Sequence, residues 1–152
     1  MVEGDGGFAQ NLQELGTVVK QNLNIKIFLF SNSGYASIRM TQKNYFGGAY
    51  LGCDSETGLG LPNWSFIAQA YGLPYTSIDA TVNWKQLIED CMLNDGPQFI
   101  EVKIDPEQTY FPKISSKMTN NGQMVSNPLH FMSPDLTDRE IETFLPFLKD
   151  RL

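Results

Sequence analysis

Cysteine, histidine and positive charge are all scarce in this chain of 152 residues. The two cysteines, Cys53 and Cys91, form no C-x-x-C pair. That argues against a disulfide framework or a zinc site, and a reducing, cytoplasmic setting is expected. Both read as buried or half-buried thiols. The single histidine, His130, stands in the tail and reads as a structural or surface residue. Asp and Glu number 17 against 11 Lys and Arg, a net charge of -6, so no nucleic-acid partner is expected. No apolar run nears the roughly 20 residues a membrane span needs, and no signal-peptide pattern precedes Glu3. No membrane partner is expected, and there is no internal repeat or low-complexity segment. What is present is an ordinary globular balance, 41% hydrophobic and 18% charged, in a chain long enough for one domain with a real core.

Helical and strand patterns alternate along that chain. Phe8 to Lys20 sets Leu12, Leu15, Val18 and Val19 on one helical face. Ile25 to Phe30 is a short apolar run, the mark of a strand covered on both sides. Asn63 is a plausible N-cap for a helix through Tyr71 that stops at Gly72. Tyr75 to Ile78 reads as a strand. Asn83 and Gln86 have capping-box spacing, opening a helix with Trp84, Leu87, Ile88 and Cys91 inward and Gly96 beyond its end. Phe99 to Ile104 is a further strand. The order implies a parallel sheet with helices on both faces. Lys43 to Pro62 is a glycine-rich stretch of little periodicity, longer than the loops compact domains usually carry, and such loops often line functional sites. From about Asp105 the chain reads as an extended polar tail to Pro134. A helix follows, with Thr137 and Glu140 as capping box, Ile141, Phe144 and Leu145 on one face, and Pro146 as interruption.

Near the start, Gly4-Asp5-Gly6-Gly7-Phe8-Ala9 fits the G-x-G-x-x-A turn of a dinucleotide fold. An acid in that turn is out of place, because the helix N-terminus that follows would hold phosphate directly and a carboxylate would repel it. A bridging Mg²⁺ reverses the sign and makes Asp5 a ligand. The next strand ends in Ser31-Asn32-Ser33-Gly34-Tyr35. There Asn32 offers an amide oxygen and Gly34 an unobstructed carbonyl. With two phosphate oxygens and a water, Asp5, Asn32 and the Gly34 carbonyl fill an octahedron. A dinucleotide site would instead want an acid at that strand end for the ribose hydroxyls.

Gly4-Asp5-Gly6, a gap of 24 residues, then Ser31-Asn32 resembles the GDG…NN signature of thiamine-diphosphate enzymes. The family has Asn at the first position of the pair, where this chain has Ser31; the metal ligand matches Asn32. "GDGGFAQNLQEL" is similar to the corresponding turn and helix of the acetolactate synthase and pyruvate decarboxylase branch. "SIRMTQKNYFGG", "GLGLPNWSFIAQAYGLP" and "VSNPLHFMSP" look like acetolactate-synthase-like proteins, including ones associated with branched-sugar biosynthesis.

The resemblance implies a three-layer α/β/α thiamine-diphosphate-binding fold. Residues 1–152 would be a single domain, the C-terminal part of a diphosphate-binding domain that is incomplete at its N-terminus. It implies thiamine diphosphate and Mg²⁺ as cofactors, with Asp5, Asn32 and Gly34 holding the metal. Gly4, Gly6 and Gly7 would let the backbone approach the diphosphate, and Tyr35, Ala36, Ser37 and Ile38 would run beside the thiazolium and substrate. The glycine-rich loop and the tail would help close the site. It assigns no catalytic acid–base to this chain: the activating glutamate belongs to a pyrimidine-binding domain of a partner subunit. The expected activity is decarboxylation or carboligation of a 2-oxo acid by a larger enzyme, with the isolated chain inactive. Exposed sheet edge and helix faces would invite self-association, so a homo-oligomer is expected. Two other readings stand beside it, a Rossmann-type dinucleotide-binding module and a non-catalytic association module. Glu14 reads as solvated, Arg39 and Gln42 as weaker candidates to face substrate, and Trp64 and Trp84 as packing residues.

Overall fold

The computed structural model of the chain describes residues 1–108, 111–128, 131–134 and 136–148. His130 therefore lies outside the described residues. The chain divides into two compact units, Met1–Gln108 and Thr109–Leu152.

The first unit is built on four parallel strands: β1 (Val2–Gly4), β2 (Lys26–Ser31), β3 (Tyr75–Ile78) and β4 (Gln98–Lys103), in the order β1-β2-β4-β3. Register pairs Val2 with Phe28, Phe28 with Ile100, and Thr76 with Ile100. Alternation along β2 gives each face its own core. Ile27 and Leu29 point to one face, where they meet Phe8, Leu15, Trp64, Ala68, Leu73 and Phe99. On the other, Phe28 packs against Ile78, Cys91 and Ile100. Helix α4 (Trp64–Tyr71) covers the first face and α5 (Trp84–Leu93) the second. The result is the three-layer α/β/α arrangement expected. Four aromatic rings join the first core: Phe99 sits 5.6 Å from Phe8, 6.5 Å from Trp64 and 6.2 Å from Tyr75. Phe8 thus anchors the turn that carries Asp5. Both cysteines are free and buried.

Several local expectations need correction. The first helix begins at Asp5 rather than Phe8 and is broken: α1 (Asp5–Phe8) passes into a 3₁₀ segment, Ala9–Glu14, before α2 (Leu15–Lys20). The break is at Asn11, whose φ of -141° and ψ of 47° are not helical. Residues 36–42, unassigned from sequence, and 43–45, read as the start of the glycine-rich loop, form α3 (Ala36–Tyr45). Asn83 makes no side-chain cap, and Gln86 bonds Asp90 one turn on at 2.9 Å. Trp84 faces outward, 48% exposed, with Lys85 over its ring, while Trp64 is buried as expected. Asn63 does cap α4, accepting from the Phe66 amide at 3.2 Å, and Gly72 ends it with φ 73°.

In the second unit the stretch read as extended folds into two antiparallel pairs. β5 (Lys113–Ile114) pairs with β8 (Met132–Ser133), and β6 (Ser116–Met118) with β7 (Met124–Ser126). Helix α6 (Asp138–Phe144) carries the Thr137–Glu140 capping box and stops before Pro146. No helix among the described residues is long and apolar enough to cross a membrane.

Candidate functional site

The site forms where β1 runs into α1 and β2 into the loop before α3, at the C-terminal end of the sheet, where open parallel sheets place their ligands. The Asp5 carboxylate is 1% exposed. Its Oδ1 accepts from the Gly6 amide at 2.7 Å, and its Oδ2 from the amides of Asn32 at 3.0 Å and Gly34 at 3.2 Å. Burial pushes this carboxyl above its ordinary value of 3.8, and the surrounding backbone amides pull the other way. The hydrogen bonds to this carboxylate come from backbone amides, which carry no full charge to balance its own. One of these donors, the Gly6 amide, belongs to the turn that would face pyrophosphate in a dinucleotide fold, and Asp5 already occupies it. The aspartate therefore works against the Rossmann reading.

The Asn32 side chain turns one end of its amide toward two oxygens, Asp5 Oδ1 at 3.3 Å and the Gly34 carbonyl at 2.8 Å. With nitrogen there, the amide donates to both. With oxygen there, three oxygens crowd together and need a cation between them. The two spacings from the Asn32 amide, 2.8 and 3.3 Å, lie near about 2.9 Å, the edge of an octahedron with Mg–O bonds of about 2.0–2.1 Å. The residues present therefore fit a magnesium ion. Among the described residues no group of three or more His, Cys, Asp or Glu side chains could hold a metal by itself, so the fit rests on this mixed set of one carboxylate, one amide and one carbonyl.

Gly34 is held in place by contact rather than by choice of turn. Its φ is 149°, and it forms an isolated antiparallel bridge with Asp54. A Cβ there would lie 2.1 Å from the Cys53 carbonyl oxygen. Gly6 is packed under the Tyr35 ring, which a Cβ would meet at 2.4 Å. Asp5, Gly6, Asn32, Gly34 and Tyr35 are thus gathered at one point. Gly4 and Gly7 flank them, and Glu3 accepts from the Gly4 amide at 3.1 Å. Ala36, Ser37 and Ile38 form the first turn of α3, with Ser37 and Ile38 exposed. The Gln42 amide clamps Leu51 through both its N–H and C=O, at 2.9 and 3.1 Å. Arg39 is buried rather than open to substrate.

A cleft of about 390 Å³ extends from Asp5 toward the first turn of α4, lined by Ser33, Asn63, Tyr75, Glu101 and Lys103 among others. Tyr75 donates to the buried Glu101 carboxylate. Burial first, then this hydrogen bond, pushes the phenol up to about 12. Nothing in the sequence singled out that pair, because it spans 26 residues and depends on strand register.

A family model described as thiamine pyrophosphate enzyme, C-terminal TPP binding domain, matches residues 1–102. The chain is 31% identical over 121 residues to the acetolactate synthase isozyme 2 large subunit of Escherichia coli (strain K12), covering 79% of this chain and 21% of that protein. It is 28% identical over 124 residues to the acetolactate synthase large subunit of Porphyra purpurea, covering 82% and 20%. It thus spans about a fifth of the length of these relatives. Among solved structures, a Rhodococcus jostii RHA1 thiamine diphosphate-dependent 4-hydroxybenzoylformate decarboxylase aligns with a TM-score of 0.62 at 19% identity, covering 71% of this chain and 20% of that one. That likeness speaks for the fold.

Proposed function

The chain belongs to the thiamine pyrophosphate enzymes, as their C-terminal TPP-binding domain, and from that premise we propose that it holds the diphosphate of thiamine diphosphate through a magnesium ion ligated by Asp5, Asn32 and the Gly34 carbonyl. The observation that carries this reading is the convergence of those three groups at 2.8–3.3 Å around one end of the Asn32 amide. With its amide oxygen turned inward, Asn32 would be the third oxygen of the set. Asp5 supplies the one protein charge among the ligands, while the Gly6 amide steadies its Oδ1. Gly4, Gly6 and Gly7 give the diphosphate close backbone approach, and Tyr35 with residues 36–38 lies alongside the cofactor ring and substrate.

The chemistry that the cofactor supplies when bound is an electron sink for loss of CO₂ from a 2-oxo acid and transfer of the remaining acyl unit to an acceptor or a proton. The chain's own residues anchor and orient; none of them is assigned an acid–base step. We read the whole enzyme as acetolactate-synthase-like, a decarboxylase or carboligase in which a pyrimidine-binding domain completes the site, and the isolated chain as inactive. Assembly with that domain or with further copies is supported by β1, which is an edge strand with Val2 62% exposed. Free cysteines agree with the cytoplasmic setting that belongs to the same proposal.

A thermal-shift titration tests the cofactor reading. Thiamine diphosphate with Mg²⁺ is expected to raise the melting temperature, thiamine diphosphate with a chelator to do less, and NAD to do nothing. A shift with NAD that ignores the metal would return the chain to the dinucleotide reading.

A further inference from the structure

Arg39, on α3, is buried to nine-tenths yet does not line the cleft. Its Nη2 donates to the Asn32 carbonyl at 3.4 Å. Its Nε lies 4.0 Å from Asp54 Oδ2, and its Nη1 lies 4.0 Å from Glu107 Oε1. Among the described residues, Nε is the one buried side-chain nitrogen or oxygen with no hydrogen-bond partner. Such an atom marks either a cost with no return or a group kept for a purpose.

The three acceptors around the guanidinium come from three separate segments. Asn32 is the metal-loop residue. Asp54 belongs to the glycine-rich loop: it bridges Gly34, while the Tyr35 amide donates to the neighbouring Cys53 carbonyl at 2.8 Å. Asp54 Oδ1 accepts from the amide and hydroxyl of Thr57 at 3.0 and 2.8 Å, while Oδ2 accepts from the Cys53 thiol at 3.7 Å and faces Arg39. Glu107 lies past the end of β4 and is also paired with Lys43 at 3.4 Å. A planar fork of five donors carried on three nitrogens can face three acceptors on different sides. The charges balance, with Arg39 and Lys43 against Asp54 and Glu107. Contacts of 4.0 Å are ion pairs that stop about 1 Å short of charge-assisted hydrogen bonds, so the cluster joins these segments without freezing them.

We propose that Arg39 is a positioning residue whose guanidinium couples the 31–35 loop to the 52–57 loop, so that the Asn32 and Gly34 ligand groups and the glycine-rich loop hold their places, or lose them, together. Its meaning for the cofactor rests on the cation reading above; the coupling itself does not.

Hydrogen exchange on the ligand-free chain tests the coupling. In Arg39→Met, peptides covering 31–37 and 52–58 are expected to exchange at least tenfold faster together, while 26–30 and 98–102 in the sheet stay protected. Arg39→Lys should restore part of the protection, and Lys43→Met, which touches only the exposed side of the cluster, should leave both loops unchanged. Protection retained in both loops, loosening of one alone, or acceleration that reaches the strands equally would overturn the proposal. A second arm titrates Mg²⁺ at saturating thiamine diphosphate, where Arg39→Met should weaken the apparent magnesium affinity about tenfold. An affinity unchanged by Arg39→Met in a chain whose wild type takes up the ion would overturn the positioning role. A wild type that takes up no Mg²⁺ overturns the cation reading and leaves the coupling to be decided by the exchange arm.

Discussion

Gly34→Ala is the substitution whose cost the structure sets most sharply. A Cβ on Gly34 would lie 2.1 Å from the Cys53 carbonyl oxygen and 3.1 Å from Asp54 Cα. Both are backbone atoms, so no side chain can swing away. Ordinary carbon contacts begin near 3.5 Å, so the two segments must part by roughly 1 Å or more, which breaks the 2.8 Å bond from the Tyr35 amide to the Cys53 carbonyl. Leaving such groups unpaired costs about 1–3 kcal/mol. Holding a non-glycine residue at φ 149° costs about 1–3 kcal/mol more. The sum, about 2–6 kcal/mol, is a large part of a domain's total stability. Gly6→Ala is the graded comparison: its Cβ would meet the Tyr35 ring at 2.4 Å, but a ring can rotate aside, so about 1–2 kcal/mol is expected. Gly4→Ala meets nothing within 4 Å and should be close to neutral. Urea unfolding of the three variants measures the series. With a slope of about 1–2 kcal/mol per molar urea, Gly34→Ala should lower the midpoint by roughly 1 M or more. A Gly34→Ala chain within about 1 kcal/mol of wild type, or no worse than Gly6→Ala, would refute the close approach of the 31–35 and 52–57 segments.

Other outcomes follow from the same structure. Phe99→Ala removes a fully buried ring that touches Phe8, Trp64 and Tyr75 and should cost about 3–5 kcal/mol by chemical unfolding; a loss below about 1 kcal/mol would contradict the aromatic core. The Tyr75 phenol, held up to about 12, should titrate well above the ordinary 10 in an ultraviolet pH titration. Because its folded value lies above the ordinary 10, its contribution to stability is whole below pH 10 and is lost as pH climbs through about 12. Glu101→Gln should bring that titration earlier. Thr137→Ala removes a capping box from α6 and should destabilise that helix by about 1 kcal/mol, read as faster hydrogen exchange over 138–144 with no change in the parallel sheet.

Legibility in the sequence followed how local each cause was. β2 announced itself by a continuous apolar run. α4 was legible at both ends because Asn63 and Gly72 act within their own turn, and α6 because Thr137 and Glu140 cap each other. α3 was not legible: "ASIRMTQKNY" has no capping side chain, and its one buried residue is Arg39. Asn83 and Gln86 had the spacing of a box, but Asn83 makes no cap and Gln86 bonds Asp90, since spacing permits a cap without requiring one. The β6–β7 pair had a signal that went unread: Asn121-Gly122, with Gly122 at φ 78°, is the kind of dipeptide that closes a hairpin. At the site, Asp5, Asn32 and Gly34 were singled out because an acid inside a phosphate turn makes chemical sense with a cation, and the fold brings the three together. The pairing of Tyr75 with Glu101 and the gathering of Asp54 and Glu107 around Arg39 were not, because only the fold brings those residues together.

The most direct test of the metal site is a crystal of the chain grown with thiamine diphosphate and Mn²⁺ in place of Mg²⁺, with the ion located by its anomalous scattering. The expected peak lies about 2.0–2.3 Å from Asp5 Oδ1, the Asn32 amide oxygen and the Gly34 carbonyl oxygen at once, with the Asn32 amide turned oxygen-inward, and it is absent from Asp5→Asn. A peak away from these three atoms, or one that persists in Asp5→Asn, would contradict the assignment.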